Sequence, residues 1–390
     1  MKRVPAVYMR GGTSKGVYFH AKDLPTDPSL RDRIILDIYG SPDLTQIDGL
    51  GGANVLTSKT AIIARSSRND ADVDYTFGQV MINEPLVDYR INCGNISAGV
   101  GPFAIDEGLV PAVEPLTRVR IFNTNTQRVI IAEVPVKNGR AQVAGDYHID
   151  GVPGTGAKIL LDFAATGGTL GKGLLPTGQA CEALSIDGLG TFDISVVDAA
   201  NPSVFVKGAD LGLTGTEAFQ DILNDQSVWD KADRIRGTVG VKLGMYPDLD
   251  TFLRINPTMP FCILVFPPIG YTDFVDGRAI TPDSYDIKGI IRFAGAVHRA
   301  YSGTGSVCTA VAAQIEGTIA NAVCAEAARS AAVLRIGHPS GIMDVDIRVE
   351  KDGQEYRILR AAYGRTARRI MEGSIYLKPW ADESPMLSLE

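Results

Sequence analysis

The stretch CGNISAGVGPFAIDEG, residues 93–108, decides the fold because a second stretch of the same pattern, SGTGSVCTAVAAQIEG, occupies residues 302–317. The two align without a gap. Each contains a polar turn with glycine, a segment of small residues in which a helix begins, and a final Glu-Gly. A repeated pattern of this kind indicates a duplicated domain. Two such domains facing one cleft would direct two helix N-termini at a molecule with several carboxylates.

The chain length supports two domains, since 390 residues exceed the usual size of one hydrophobic core. We predict an N-terminal domain over residues 1–183, which carries Lys59 and Cys93 and which the C-terminal segment can complete. The C-terminal domain then covers residues 184–390 and carries the turn at 302–306.

The pattern of strands and helices favours the α+β class, because strands dominate and do not alternate regularly with helices. Apolar runs predict strands at RVIIAEVPV (128–136), FDISVVDA (192–199), FCILVFPP (261–268) and YRILRAAYGR (356–365). Helical patterns occur at 29–40, 286–302 and 318–331.

Composition excludes several classes of protein. The net charge is −7 and there is no long basic run, so we expect no nucleic-acid partner. No apolar stretch has the length of a membrane span, and the N-terminus lacks the apolar core of a signal peptide, so we expect a cytoplasmic protein. The cysteines are odd in number, widely spaced and without C-x-x-C, which argues against disulfides and structural zinc.

Cys93 is the first candidate for a catalytic residue. It precedes a Gly-Asn turn at the expected start of a helix, and a helix N-terminus favours a thiolate. The alternative is a buried thiol that only packs as a small apolar group. Cys308 lies deeper in the second small-residue segment and is a weaker candidate, and Cys181, Cys262 and Cys324 are expected to pack.

Lys59 is the second candidate, because it borders an apolar run after the glycine-rich segment DGLGGANVLTS, residues 48–58. A partly desolvated lysine has a lowered pKa and can act as a base. A solvated surface lysine is the alternative.

The segment MRGGTSKGVYF, residues 9–19, resembles a phosphate-binding loop only superficially, because the order Ser-Lys-Gly is not that of a P-loop. A carboxylate site at Thr13, Ser14 and Lys15 and a plain hairpin turn remain as alternatives. A hydrolase pair of Cys93 and His338 is conceivable but has no support from spacing. No metal-binding or dinucleotide motif occurs, so we expect no metal and no cofactor.

Several longer motifs closely resemble the PrpF family over about residues 5–378. They are YMRGGTSKGVYF (8–19), GSPD (40–43), QIDGLGGA (46–53), TSKTAI (57–62), DVDYTFGQV (72–80), NCGN (92–95), AGVGPFAIDEG (98–108), LGLTGTE (211–217) and GHPSG (337–341). That family includes 2-methylaconitate cis-trans isomerase, methylitaconate Δ-isomerase and 4-oxalomesaconate tautomerase.

The resemblance implies a diaminopimelate epimerase-like fold. Such a fold has two similar domains, each with a β-barrel-like sheet around a central helix, and an active site between the domains.

The resemblance also implies roles for particular residues. Cys93 matches the first-domain cysteine of the related epimerases and proline racemases, whereas Ser302 occupies the place of their second cysteine. Serine is a poor partner base, so amino-acid racemisation is doubtful. Lys59 matches the lysine of the family's TSK motif. The resemblance thus supports Lys59 and Cys93 as the catalytic residues.

The expected reaction is a cofactor-independent allylic proton transfer on an unsaturated di- or tricarboxylate, by double-bond migration or cis-trans isomerisation. Which of Lys59 and Cys93 is the base stays open at this point. The expected substrate-binding residues are Thr13, Ser14, Lys15, Gly51, Ser58, Gly94, Asn95, Ser302, Gly303, Thr304 and Gly305. Alternatives are a 4-oxalomesaconate tautomerase, an amino-acid racemase or epimerase, and a non-catalytic polycarboxylate-binding protein. A homo-oligomer is compatible with all of them.

Overall fold

The chain divides into two units in the computed structural model, which describes residues 2–353 and 355–379. The first unit is Met1–Tyr147, Thr155–Leu160 and Arg365–Glu390, and the second is His148–Gly154 and Leu161–Gly364. The first unit is thus built from both ends of the sequence.

The elements are numbered in chain order within the described residues. The helices are α1 (Pro28–Tyr39), α2 (Gly94–Asp106), α3 (Phe219–Asn224), α4 (Gln226–Lys242), α5 (Leu249–Ile255), α6 (Gly303–Gln314) and α7 (Ile319–Val323). The strands are β1 (Arg3–Gly11), β2 (Ser14–His20), β3 (Lys59–Arg65), β4 (Val73–Val80), β5 (Val87–Asp88), β6 (Leu116–Asn123), β7 (Arg128–Lys137), β8 (Arg140–Ala141), β9 (Ile159–Asp162), β10 (Glu182–Ile186), β11 (Gly190–Ala199), β12 (Asn201–Lys207), β13 (Phe261–Phe266), β14 (Tyr271–Thr272), β15 (Ala279–Ile280), β16 (Ile287–Phe293), β17 (Ala296–Val297), β18 (Val333–His338), β19 (Gly341–Asp352), β20 (Glu355–Arg365) and β21 (Ala367–Tyr376).

The two units repeat one strand topology. In the first, β1–β2 is antiparallel, β2–β3 parallel, β3–β4 antiparallel, β4–β6 parallel and β6–β7 antiparallel. In the second, β11–β12, β12–β13, β13–β16, β16–β18 and β18–β19 follow the same alternation. Helices α2 and α6 occupy the same place in this order, before β6 and β18. The duplication predicted from the sequence is therefore present in the fold.

Helix α2 lies in the centre of the first unit, where it contacts strands on every side, including β1, β3, β6, β7 and β21. All of its residues from 94 to 105 are buried. In the second unit α6 contacts β11, β12 and β19, and residues 303–313 are buried. A helix that is buried all round cannot have a polar face, which explains the small apolar residues of both segments. These central helices confirm the predicted α+β fold class.

Outer helices cover the other face of each sheet. Helix α1 packs Ile34, Ile35 and Ile38 against Val17 and Phe19 of β2. In the second unit α4 buries an equivalent apolar stripe on β12 and β13. The sheets are therefore buried on both faces near the parallel strand pairs, as parallel strands usually are.

Two segments differ from their predicted structure. Within residues 318–331 only Ile319–Val323 forms an α-helix, α7. Residues 286–302 were expected to be helical, but they form β16 and β17. All seven residues of β16 are buried, so the run lacks the alternation that identifies a strand. Its β-branched isoleucines favour a strand, and the parallel pairing with β18 provides the partner.

Candidate functional site

Lys59 is the first residue of β3, at the corner where three strands of the first unit meet. It lies opposite Gly16 of the parallel strand β2 and opposite Gln79 of the antiparallel strand β4. The approach of β2 is so close that a Cβ on Gly16 would lie 1.8 Å from the Lys59 carbonyl oxygen. Glycine at position 16 therefore sets where the lysine backbone sits.

The Lys59 side chain is buried, with 5% of its surface exposed. Its Nζ donates a hydrogen bond to Oε1 of Gln79 at 2.6 Å and lies 5.3 Å from the centre of the Phe77 ring. Burial disfavours the charged ammonium and lowers the pKa of Lys59. The side chain is therefore closer to a neutral, basic amine than a surface lysine is.

Cys93 is the N-cap residue of α2, in an extended conformation with φ −116° and ψ 103°. Its carbonyl oxygen accepts the first helical hydrogen bond, from the backbone N–H of Ser97 at 2.9 Å. The thiol is half-buried, and its electrostatic interaction with the Lys59 side chain opposes part of the effect of burial on the pKa of Lys59. The amine and the thiol, which are far apart in sequence, thus meet at the first turn of the central helix.

Asn95 ties the start of α2 to the hairpin between β1 and β2. Its Nδ2 donates to Oγ1 of Thr13 at 3.0 Å, and its Oδ1 accepts from Nε of Arg365 at 3.0 Å. Gly12 has φ +50°, and a Cβ there would lie 2.1 Å from Oδ1 of Asn95. Only glycine allows the hairpin to approach this closely.

Two further hairpin residues belong to the predicted carboxylate site. The hydroxyl of Ser14 is buried and has no hydrogen-bond partner. The ammonium of Lys15 lies 5.7 Å from the centre of the Tyr8 ring. An orphaned buried hydroxyl is available to a ligand, because leaving it unbonded is costly.

Gln46 organises the loop that precedes Lys59. Its Oε1 accepts from Oγ of Ser58 and from the backbone N–H of Ala53, both at 2.8 Å. A Cβ on Gly51 would lie 2.2 Å from the Gln46 side chain. The predicted residues Ser58 and Gly51 thus help to hold the loop, and their contact with substrate stays a prediction.

The second unit contains the predicted binding residues 302–305, at the start of α6. Ser302 is the N-cap, and its Oγ accepts from the backbone N–H of Gly305 at 3.4 Å. Oγ1 of Thr304 accepts from Nδ2 of Asn201 at 2.8 Å. The pair Asn201–Thr304 repeats Thr13–Asn95 with the two residue types exchanged, and Gly303 precedes it in the first turn. Substrate binding by these residues stays a prediction.

The other cysteines are poor candidates. Burial raises the pKa of Cys262 and of Cys308 to about 12, and it also raises the pKa of Cys324 and of Cys181. His338 lies in the second unit, is 2% exposed, and its Nδ1 is 3.3 Å from Oγ of Ser340.

Two residues of the site, Gln79 and Arg365, have only weak signals in the sequence. Gln79 is the penultimate residue of β4 and lies in the motif DVDYTFGQV, where a glutamine in a buried run is itself a signal. Arg365 lies far along the chain from Asn95, and only the pairing of β1 with β21 brings the C-terminal segment to it. Within the part of the chain that the structure describes, no group of three metal-ligating side chains could hold a metal ion. No described helix has the length and apolarity to cross a membrane.

Comparison with known proteins identifies relatives over almost the whole chain. A family model described as PrpF protein matches residues 1–378. The 3-methylitaconate isomerase of Eubacterium barkeri is 48% identical over 376 residues, which cover 96% of this chain and 97% of that protein. The 2-methyl-aconitate isomerase of Shewanella oneidensis is 37% identical over 386 residues and 96% of each chain.

Solved structures show the same relationship. A crystal structure of methylitaconate-delta-isomerase matches with a TM-score of 0.81 and 46% identity, covering 98% of this chain and 99% of that one. A probable proline racemase from Agrobacterium radiobacter K84 matches with a TM-score of 0.55 and 13% identity, over 97% and 94% of the two chains. The second likeness concerns the fold alone, and it confirms the predicted epimerase-like class.

Proposed function

The chain belongs to the PrpF family, and we propose that it is an isomerase that moves an allylic proton of an unsaturated di- or tricarboxylate without a cofactor. The observation that carries the proposal is the placement of the buried Lys59 amine close enough to the Cys93 thiol for the two groups to interact electrostatically. A base and an acid in contact can remove one proton and supply another.

Lys59 acts as the base in this proposal, because its burial favours the neutral amine. Its Nζ lone pair takes the allylic proton, and the C–H electron pair shifts toward the neighbouring alkene and carboxylate to give a dienolate. The Cys93 thiol then donates its proton to the far carbon, where the new C–H bond forms. The resulting thiolate takes back a proton from the neighbouring Lys59 ammonium, which restores both groups.

Negative charge on the intermediate requires nearby donors. The N-terminus of α2 directs backbone N–H groups and the positive end of the helix dipole at an anion beside Cys93. The Ser14 hydroxyl is a further candidate donor to a substrate carboxylate. Donors of this kind typically contribute about 3 kcal/mol each to transition-state stabilisation.

Among the possible acids we favour a methylitaconate and hence migration of the double bond. The support is the 48% identity to the relative named 3-methylitaconate isomerase. The relative named 2-methyl-aconitate isomerase is less similar, at 37% identity, so cis-trans isomerisation is the second candidate.

The test follows the vinyl and allylic protons of 3-methylitaconate by NMR in deuterated water. Lys59→Ala and Cys93→Ala should each slow exchange by about 10²–10⁴-fold. Lys22→Ala and Cys181→Ala, which change exposed residues of the same types, should leave the rate unchanged. Full exchange in either of the first two variants would refute the assignment. Exchange with 2-methylaconitate alone would instead favour cis-trans isomerisation.

A further inference from the structure

Gln79 contacts the proposed base directly and has an unusual environment for an amide. It is the penultimate residue of β4, and 2% of it is exposed. Its Oε1 accepts the hydrogen bond from Nζ of Lys59 at 2.6 Å. An amide at this place either only packs against Lys59 or holds the Lys59 amine in position.

The orientation of the amide is fixed by its nitrogen. Nε2 donates to the carbonyl oxygen of Ser58 at 2.9 Å and to that of Val55 at 3.2 Å. Both N–H groups are used on the segment just before Lys59, so the amide cannot turn over without losing two hydrogen bonds. Oε1 is therefore held toward the amine.

A neutral acceptor at this place matters because a carboxylate of the same shape would stabilise the ammonium. The groups that face Lys59 are the Cys93 thiol from α2, the Phe77 ring from β4, and the Tyr39 hydroxyl of α1, which donates to the Lys59 carbonyl. Farther out, Asp88 of β5 lies opposite Gln79, and its carboxylate accepts from the Arg90 guanidinium at 2.8 and 2.9 Å.

None of the ion pairs among the described residues includes Lys59, so no carboxylate is held against its amine. A carboxylate beside a lysine typically raises the lysine pKa by about 1–3 units. Such a carboxylate would oppose the lowering of the Lys59 pKa that burial produces.

We propose that Gln79 is a positioning residue for Lys59, which holds one N–H of the amine through a neutral acceptor and leaves its lone pair directed at the substrate. This inference rests on the proposed function of Lys59 as a base. It goes beyond that function because it assigns a role to a residue that supplies and receives no proton itself.

The second unit shows that the fold does not require an amide here. Phe261 lies opposite Ser203 in the first pair of β12 and β13, as Lys59 lies opposite Gly16 in β2 and β3. Phe261 packs edge-on against Phe293 of the neighbouring strand, with 5.8 Å between the ring centres. The same corner is therefore filled by two aromatic rings where no amine is present. The polar amide thus occurs together with the lysine and is not a requirement of the strand topology.

The test measures the pH dependence of kcat for Gln79→Glu, Gln79→Leu and the control Gln127→Glu, which changes an exposed glutamine of the same unit. In Gln79→Glu the carboxylate should raise the pKa of Lys59. The pH range over which kcat rises should therefore lie about 1–3 pH units higher than in the wild type. Activity should fall at least tenfold at neutral pH and recover at high pH. Gln79→Leu should lower kcat by about tenfold or more with little change in KM, and the control should match the wild type.

Two outcomes separate this inference from the proposed function. If Lys59→Ala abolishes exchange while Gln79→Glu keeps the wild-type pH profile, the role of Gln79 is refuted and the isomerase proposal stands. If Lys59→Ala leaves exchange unchanged, both fail. If the leucine variant does not fold, the near-isosteric glutamate variant still decides the test. Thermal melting shows which variants are folded.

Discussion

Replacing Gly16 by alanine should strongly reduce activity, although it changes no side chain that takes part in the reaction. The added Cβ would lie 1.8 Å from the carbonyl oxygen of Lys59 and 2.7 Å from its carbonyl carbon, whereas real Cβ contacts stay above 3.0 Å. The lysine backbone must therefore move by about 1.2 Å, the difference between 3.0 and 1.8 Å. A displacement of about 1 Å at a reacting group costs about 10²-fold in rate, which corresponds to about 2.7 kcal/mol of activation free energy.

The assay is the isomerisation rate of Gly16→Ala beside its melting temperature. Overpacking should lower the free energy of unfolding by about 1–3 kcal/mol, so the variant should remain folded and its kcat should fall far more than its folded fraction. Gly373→Ala is the matched control, because a Cβ at that strand position in the same unit meets nothing within 4 Å. A Gly16→Ala variant with wild-type kcat would refute the placement of Lys59 as the base.

Two further predictions concern buried polar contacts. Asn95→Ala removes one hydrogen-bond acceptor of the Arg365 guanidinium. Because a hydrogen bond to a charged group contributes about 1.5–3 kcal/mol, the free energy of unfolding in urea should fall by that amount, and an unchanged midpoint would show that the contact contributes nothing. For Asp233, burial acts to raise the pKa, but the hydrogen bond from Arg292 and the charge of Arg236 outweigh it and lower the pKa below 3.8. The ion pairs of Asp233 therefore stabilise the folded state above pH 3.8, and this stabilisation is lost as the pH falls through the lowered pKa. Asp233→Ala should cost about 3–5 kcal/mol at pH 7 and less at pH 3, and a loss that does not depend on pH would contradict the ion pair.

The internal repeat made the fold predictable, because the turns at 93–95 and 302–304 both precede buried helices. The amphipathic pattern at 29–40 likewise predicted α1. The pattern at 286–302 misled, because a strand buried on both faces has no polar period to separate it from a helix.

The chemistry of the site was only partly visible in the sequence. Lys59 and Cys93 had local signals, an apolar run and a helix start. Their proximity to each other had no such signal, since it depends on the packing of β3 and β4 around α2. Gln79 and Arg365 reach the site through strand register, which a single sequence does not encode locally.

The pairing of Arg3–Gly11 with Ala367–Tyr376 has a consequence for synthesis on the ribosome. At about 5–20 residues per second, β1 waits tens of seconds after its synthesis for β21, one of its two neighbours. The second unit, residues 148–154 and 161–364, leaves the exit tunnel sooner than that neighbour, so it should reach its native form before the first unit does. Meanwhile the open edge of the waiting strand is a template for wrong pairing. Messages truncated before the codons for residues 367–376 should therefore yield products that chaperones retain, although the second unit has been translated in full.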